Sequence, residues 1–190
     1  MKKIIETIST LYDIISTEKR NFLDRKDESY NPDYYPYIPI NKNGIKELLE
    51  LALEKYKKPS LIKFIDIGCG FPIIPLIFQK LGFNSYGLEY NKFYRKDIWL
   101  LGNNFIEDDL LKYDFQQFDL MYMYNPIQNA ELMLEGLKNV LNTMKIGSVL
   151  FYTCTSSLCR EYIEKELNLS KNYKFVKTKN TDSYVITSIK

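Results

Sequence analysis

Four residues of this chain have the types and spacing of a ligand site: Asp66, Gly68, Gly70 and Glu89. They open within Ile62-Lys63-Phe64-Ile65-Asp66-Ile67-Gly68-Cys69-Gly70-Phe71-Pro72. Glycines one residue apart let a strand turn sharply and bring backbone N–H groups up to a ligand. A carboxylate just before such a turn repels a pyrophosphate, which wants positive potential, and suits a ligand with a cationic end. Glu89 falls 23 residues after Asp66, close to the spacing at which a nucleotide fold places an acid at the tip of its second strand. One carboxylate there accepts from both the 2′- and the 3′-hydroxyl of a ribose. The bland alternative is a tight strand–helix turn followed by an exposed strand-end glutamate.

The elements around these residues can be read from periodicity. Ile62, Phe64, Ile65 and Ile67 form a short apolar run, as in a parallel strand buried on both faces. Pro72 and Pro75 fit the first turn of a helix, Ile73 to Leu81 continue it, and Gly82 stops it. Ser85–Glu89 reads as the second strand, Asn91–Leu101 as a helix with Phe93, Ile98 and Leu101 inward, and Asn104–Leu111 as the third strand and its exit. Phe118–Pro126 is the fourth strand, Leu132–Met144 a helix, Ser148–Thr153 the fifth strand and Ser156–Leu167 a helix. Tyr173–Thr178 and Ser183–Ile189 alternate as two strands joined by a turn at Asn180-Thr-Asp182. Ahead of the first strand, Ile4, Ile8, Leu11 and Ile15 recur at helical spacing, with Ile5 and Tyr12 widening the stripe. That stripe is expected to pack on the main body. Tyr30 to Pro39 carries Tyr30, Tyr34, Tyr35 and Tyr37 among prolines, an extended arm whose Tyr37 and Pro39 lie nearest the following helix, about Gly44–Tyr56.

The pattern Asp66-Ile-Gly68-Cys-Gly70 resembles the first motif of the class I S-adenosylmethionine (SAM)-dependent methyltransferases. A dinucleotide fingerprint, G-x-G-x-x-G, would need a third glycine where this chain has Ile73, which weakens a nucleotide-dependent oxidoreductase as the reading. The resemblance covers residues 40–190, and the order of the acids is its most specific part. It implies an α/β, Rossmann-like fold: a mostly parallel seven-stranded sheet in the order 3-2-1-4-5-7-6, flanked by helices. An N-terminal helix and Tyr/Pro-rich arm would occupy residues 1–43, and the SAM-dependent domain residues 44–190. The implied cofactor is SAM, bound by Asp66, Gly68, Cys69, Gly70, Glu89, Tyr90, Asp109 and Leu110. In the family an acid after the third strand reads the adenine amino group, and Leu110 would pack on the base. A glycine often precedes that acid, whereas this chain has Asp108, so the choice between Asp108 and Asp109 stays open. The fourth strand would face the transferable methyl. Asn125-Pro126 resembles the start of the N-P-P-aromatic motif of amino-methyltransferases, although Ile127-Gln128 replace its remainder. Tyr124 and Asn125 are therefore the candidate catalytic residues, and Tyr122, on the same strand face, is assigned to the core.

Composition bounds the function. The 190 residues, 45% of them hydrophobic, suit one domain with a real core. A net charge of +2 leaves no strong nucleic-acid footprint. The absence of histidine excludes His-based triads and His metal sites, and no metal is expected. Three cysteines, an odd number, argue against a disulfide framework and for a reducing cytoplasm. No run reaches membrane-helix length, so no membrane partner is expected. The function read here is methyl transfer from SAM to a nitrogen acceptor, either a protein amine such as lysine or a small molecule. The Pro-rich segment before the first motif and the proline after the fourth strand resemble the lysine methyltransferases acting on ATP-synthase c-subunits. The alternatives are an RNA methyltransferase using Lys171, Lys174, Lys177 and Lys179, and a non-catalytic SAM-binding module.

Overall fold

The computed structural model describes residues 2–24, 39–91, 94 and 99–190 of the chain. The expected arm from Tyr30 through Tyr37, and Phe93 and Ile98 of the expected helix, lie outside the described residues. Seven strands form one sheet: β1 (Lys63–Ile67), β2 (Asn84–Leu88), β3 (Phe105–Ile106), β4 (Leu120–Tyr124), β5 (Val149–Thr153), β6 (Tyr173–Lys177) and β7 (Ser183–Ser188). Their order is β3-β2-β1-β4-β5-β7-β6, the order implied by the resemblance to the class I methyltransferases. The first five strands run parallel, and β7 is antiparallel to both β5 and β6. The chain order reverses between β1 and β4, so a crevice opens beyond their carboxyl ends, where ligands of such sheets sit.

Among the described residues, five helices cover the sheet: α1 (Lys2–Asp24), α2 (Lys42–Lys55), α3 (Ile73–Lys80), α4 (Ala130–Thr143) and α5 (Ser157–Glu161), which widens into a π-helical segment over Tyr162–Leu167. Alternation along the strands divides the core in two. Phe64, Leu120, Tyr122 and Phe151 face α1, α2 and α3, where Phe64 stacks on Phe78 with ring centroids 3.8 Å apart. Ile65, Met121, Met123, Leu150 and Tyr152 face α4 and α5. Short side-chain caps start the helices: Asn41 accepts from Gly44 N–H at 2.9 Å, and Asn129 accepts from Glu131 N–H at 3.0 Å and Leu132 N–H at 3.1 Å.

One expectation is corrected. Of the expected stripe, Ile4, Leu11 and Ile15 are 57%, 54% and 48% exposed, whereas Ile8 packs against the core and the widening residues Ile5 and Tyr12 are buried in it. The buried face is one residue on, at Ile5, Ser9, Tyr12 and Ser16. Both serines satisfy their hydroxyls on the helix itself: Ser9 Oγ donates to Ile5 O at 2.7 Å and Ser16 Oγ to Asp13 O at 3.2 Å. Small and internally bonded, they pack as apolar residues would, so hydropathy alone left these two out of the buried face. Glu6 then bridges Lys42 at 2.7 Å and Lys46 at 3.1 Å, tying α1 to α2. The helix expected over Asn91–Leu101 falls mostly outside the described residues; from Trp99 to Asn104 the backbone forms 3-10 turns with a kink at Gly102.

Candidate active site

The glycine turn is built by hydrogen bonds from the end of β1 to the end of β2. Gly68 N–H and Cys69 N–H both donate to Leu88 O, at 2.8 and 3.0 Å. Gly68 and Gly70 have φ of +71° and +49°, a left-handed conformation that favours glycine. A Cβ on Gly68 would meet Pro126 Cβ at 2.2 Å, so the turn presses against the segment leaving β4. Gly87 is equally constrained: a Cβ there would lie 2.8 Å from both Cys69 Sγ and Leu101 Cδ1.

Glu89 clamps this turn. Its backbone N–H bonds Ile106 O at 3.1 Å, its Oε2 accepts from Gly70 N–H at 2.9 Å, and its Oε1 accepts from Asn91 N–H at 2.8 Å. The side chain is 9% exposed, not the solvated strand-end acid of the bland alternative. Burial raises its pKa, although the N–H donors of Asn91, Gly70 and Tyr90 pull the other way. Asp66 pairs in register with Gly87 of β2 and Tyr122 of β4 and is 4% exposed. Burial pushes its carboxyl well above the usual carboxylate range, and the charge of Glu89 adds to the effect. The Cys69 thiol is raised by burial and by both acids, so it is a packing thiol rather than a nucleophile.

Two clefts meet at this clamp. The first, about 850 Å³ with its open mouth included, is lined by Asp66, Gly68, Cys69, Gly70, Glu89, Tyr124 and Asn125, among others. The second, about 630 Å³ on the same basis, is lined by Glu89, Tyr90, Asp109 and Leu110, with Ile127 and Leu132 supplying apolar wall. Gly68, Glu89 and Pro126 belong to both. All ten residues singled out from the sequence therefore line one cleft or the other. Asp108 lines neither; its Oδ1 accepts from Asp109 N–H at 2.7 Å. Asp109 is held by Leu111 N–H, which donates to its Oδ1 at 2.9 Å.

Asn125 is 5% exposed and has φ of +35°, the one non-glycine residue among those described with positive φ. One terminal atom of its amide sits among the Thr155 N–H at 3.0 Å, the Ser156 N–H at 3.2 Å and the Thr155 hydroxyl, and is therefore the oxygen. The nitrogen then donates to Tyr152 Oη at 2.6 Å. This side chain fastens the exit of β4 to the exit of β5. The sequence reading missed Tyr12, which reaches the first cleft from α1, and Thr155, which reaches it from beyond β5. Pro39, singled out in the arm, also lines that cleft, while Tyr37 lies outside the described residues. Tyr122 is 2% exposed, as a core residue is, yet it too lines the first cleft.

Among the described residues no cluster of histidine, cysteine or acids could hold a metal, and no helix is long and apolar enough to cross a membrane. No family model matches the chain, and no curated protein matches it in sequence. Solved structures do resemble it in fold. A methyltransferase of Podospora anserina, PaMTH1, bound to S-adenosylhomocysteine (SAH), aligns with TM-score 0.57 and 13% identity over 92% of this chain and 87% of its own. A TehB-like SAM-dependent methyltransferase of Corynebacterium glutamicum aligns with TM-score 0.54 and 13% identity, covering 95% of this chain and 98% of its own. The ribosomal protein L11 methylase of Lactobacillus delbrueckii aligns with TM-score 0.54 and 17% identity, covering 82% and 91%. With the sheet order and the crevice beyond β1 and β4, these likenesses give the chain the fold of the class I SAM-dependent methyltransferases.

Proposed function

We propose that the protein is a SAM-dependent methyltransferase acting on a nitrogen acceptor. The observation that carries this reading is the pair of buried carboxyls, Asp66 and Glu89, where a cleft with no lysine or arginine among its described lining residues meets a second, largely apolar one. Such a donor set suits a ligand with an ammonium, a sulfonium, ribose hydroxyls and a flat base, and it repels a pyrophosphate. In this reading Asp66 holds the ammonium and Glu89 accepts from the ribose hydroxyls. Cys69 and Gly70 line the approach of the ligand, while Tyr90, Asp109 and Leu110 surround the adenine. Bound SAM supplies an electrophilic methyl: the C–S bond breaks with its electron pair kept by sulfur, the nitrogen lone pair forms the N–C bond, and the acceptor's surplus proton goes to water. Tyr124 and Asn125 flank the exit of β4 and orient the acceptor, so the protein contributes chiefly by positioning. Residues 44–190 form the catalytic domain, and residues 1–43 an extension whose helix walls the acceptor end. The SAH-bound and protein-methylating neighbours support both the cofactor and a protein acceptor.

The test is calorimetric and thermal titration of the whole chain with SAM, SAH and NAD. SAM and SAH are expected to stabilise it, by about 2.7 kcal/mol at 100 times the dissociation constant, and NAD is expected to have no effect. Stabilisation by NAD alone would overturn the reading. Radiolabel transferred from SAM in a cell extract should then enter the protein or small-molecule fraction, and label in RNA would replace the protein or small-molecule acceptor proposed here with a nucleic-acid one.

A further inference from the structure

Beyond the groups assigned above, the first cleft has a wall that the cofactor's charged groups do not explain. Tyr12 of α1 is 1% exposed, Tyr122 of β4 is 2% exposed, and Tyr124 lies two residues further along the same face. All three line the cleft that holds Asp66. Tyr122 stands directly opposite Asp66 in the β1–β4 register, and burial first, with Asp66 adding to it, pushes its phenol well above the usual range. Three tyrosines therefore adjoin one buried carboxyl at the open end of β4.

We propose that Tyr12, Tyr122 and Tyr124 form the acceptor subsite and that it takes an aliphatic amine, arriving as an alkylammonium. This rests on the methyltransferase reading and narrows it. The acids lining the cleft are Asp66 and Glu89, with no lysine or arginine among the described lining residues. An acceptor carrying a phosphate or a carboxylate would face those acids without a counter-charge among the described lining residues. A cation meets the opposite situation, because tyrosine faces are attractive to ammonium groups and the acids add to the field. Since Tyr12 comes from the N-terminal helix, α1 is part of the substrate-binding surface and not only a support for α2.

The experiment uses the full chain saturated with SAH and titrates n-butylamine, n-butanol, sodium butyrate and AMP, followed by the tyrosine ring signals in NMR. Butylammonium is expected to bind at least tenfold more tightly than butanol, with butyrate and AMP leaving the rings unshifted. Tyr12→Phe should hold the amine affinity within about twofold, because the ring face remains. Tyr12→Leu should weaken it at least threefold while SAH affinity stays unchanged. Butyrate or AMP binding as tightly as the amine would overturn the proposal, and so would a folded Tyr12→Leu protein with undiminished amine affinity. Should Tyr12→Leu fail to fold, the ligand series on the wild type and Tyr12→Phe decides alone. Failure of SAH to bind would refute the cofactor reading instead, and the same amine series without SAH would still test the subsite.

Discussion

Replacing Asp66 by asparagine should separate stability from binding in opposite directions. The carboxyl is 4% exposed and burial holds its pKa well above the usual range, with Glu89 adding to the rise. An unfolded aspartate ionises near about pH 3.9. Above that pH the unfolded chain has released a proton that the folded protein still holds. Stability without ligand therefore falls as pH rises from the unfolded value through the raised folded one, and is fullest below that window. Asp66→Asn keeps the shape and removes the titration. The variant should be at least as stable as wild type at neutral pH, and its stability should depend less on pH across the window. Binding moves the other way. If Asp66 receives one charge-assisted hydrogen bond from the ligand's ammonium, losing it costs roughly 1.5–3 kcal/mol. At about 1.4 kcal/mol per factor of ten, SAM affinity should drop roughly 10- to 150-fold. Thermal unfolding across pH and calorimetric titration with SAM measure the two effects on the same preparations. A folded Asp66→Asn protein that binds SAM as wild type does would refute the assignment. A less stable variant would refute the electrostatic argument.

Two further substitutions probe the clamp and the latch. Glu89→Ala removes the acceptor of Gly70 N–H and Asn91 N–H, and the relief of a buried carboxylate offsets part of that loss. A net destabilisation of about 2–4 kcal/mol in urea unfolding and at least a tenfold loss of SAM affinity are expected, and unchanged stability would show that the carboxylate does not hold the turn. Asn125→Ala strands Thr155 N–H, Ser156 N–H and Tyr152 Oη and places alanine at φ of +35°. It should cost about 2–4 kcal/mol and abolish methyl transfer while SAM binding persists; full activity in the folded variant would make Asn125 a dispensable brace.

What the sequence disclosed depended on whether the determining contacts were local. The β1 turn was legible because its parts are adjacent: an apolar run, an acid, glycines at 68 and 70, then prolines able to start a helix. The elements followed from the alternation of short apolar runs with helical stripes, whereas their order in the sheet came from the resemblance to the class I methyltransferases. The phase of α1 was only partly legible: Ile5, Ile8 and Tyr12 do face the core, but hydropathy ranks isoleucine above serine, and only tertiary packing reveals that Ser9 and Ser16 bond their hydroxyls within the helix and fill the interface. Asn125 was singled out for a motif it only half matches. Its structural task depends on Tyr152 and Thr155, 27 and 30 residues away, and no local pattern announces those partners.

The same distinction explains why the acids were the most informative residues in the chain. Asp66 interrupts an otherwise apolar buried strand, and Glu89 ends another; each breaks the local rule that its surroundings obey. A fold selected for stability alone would place neutral residues there, since burial drives both carboxyls away from their ionised forms. Glu89 has a partial structural excuse in the N–H groups of Gly70 and Asn91. Asp66 has no such pair of backbone donors in the glycine turn, because Gly68 and Cys69 spend theirs on Leu88 O. An acid held at a disadvantage beside a cleft lacking lysine and arginine among its described lining residues is best accounted for by a cation that arrives from outside. The proposed charge of the ligand thus has its own support in the protein's energetics, independently of any likeness to other folds.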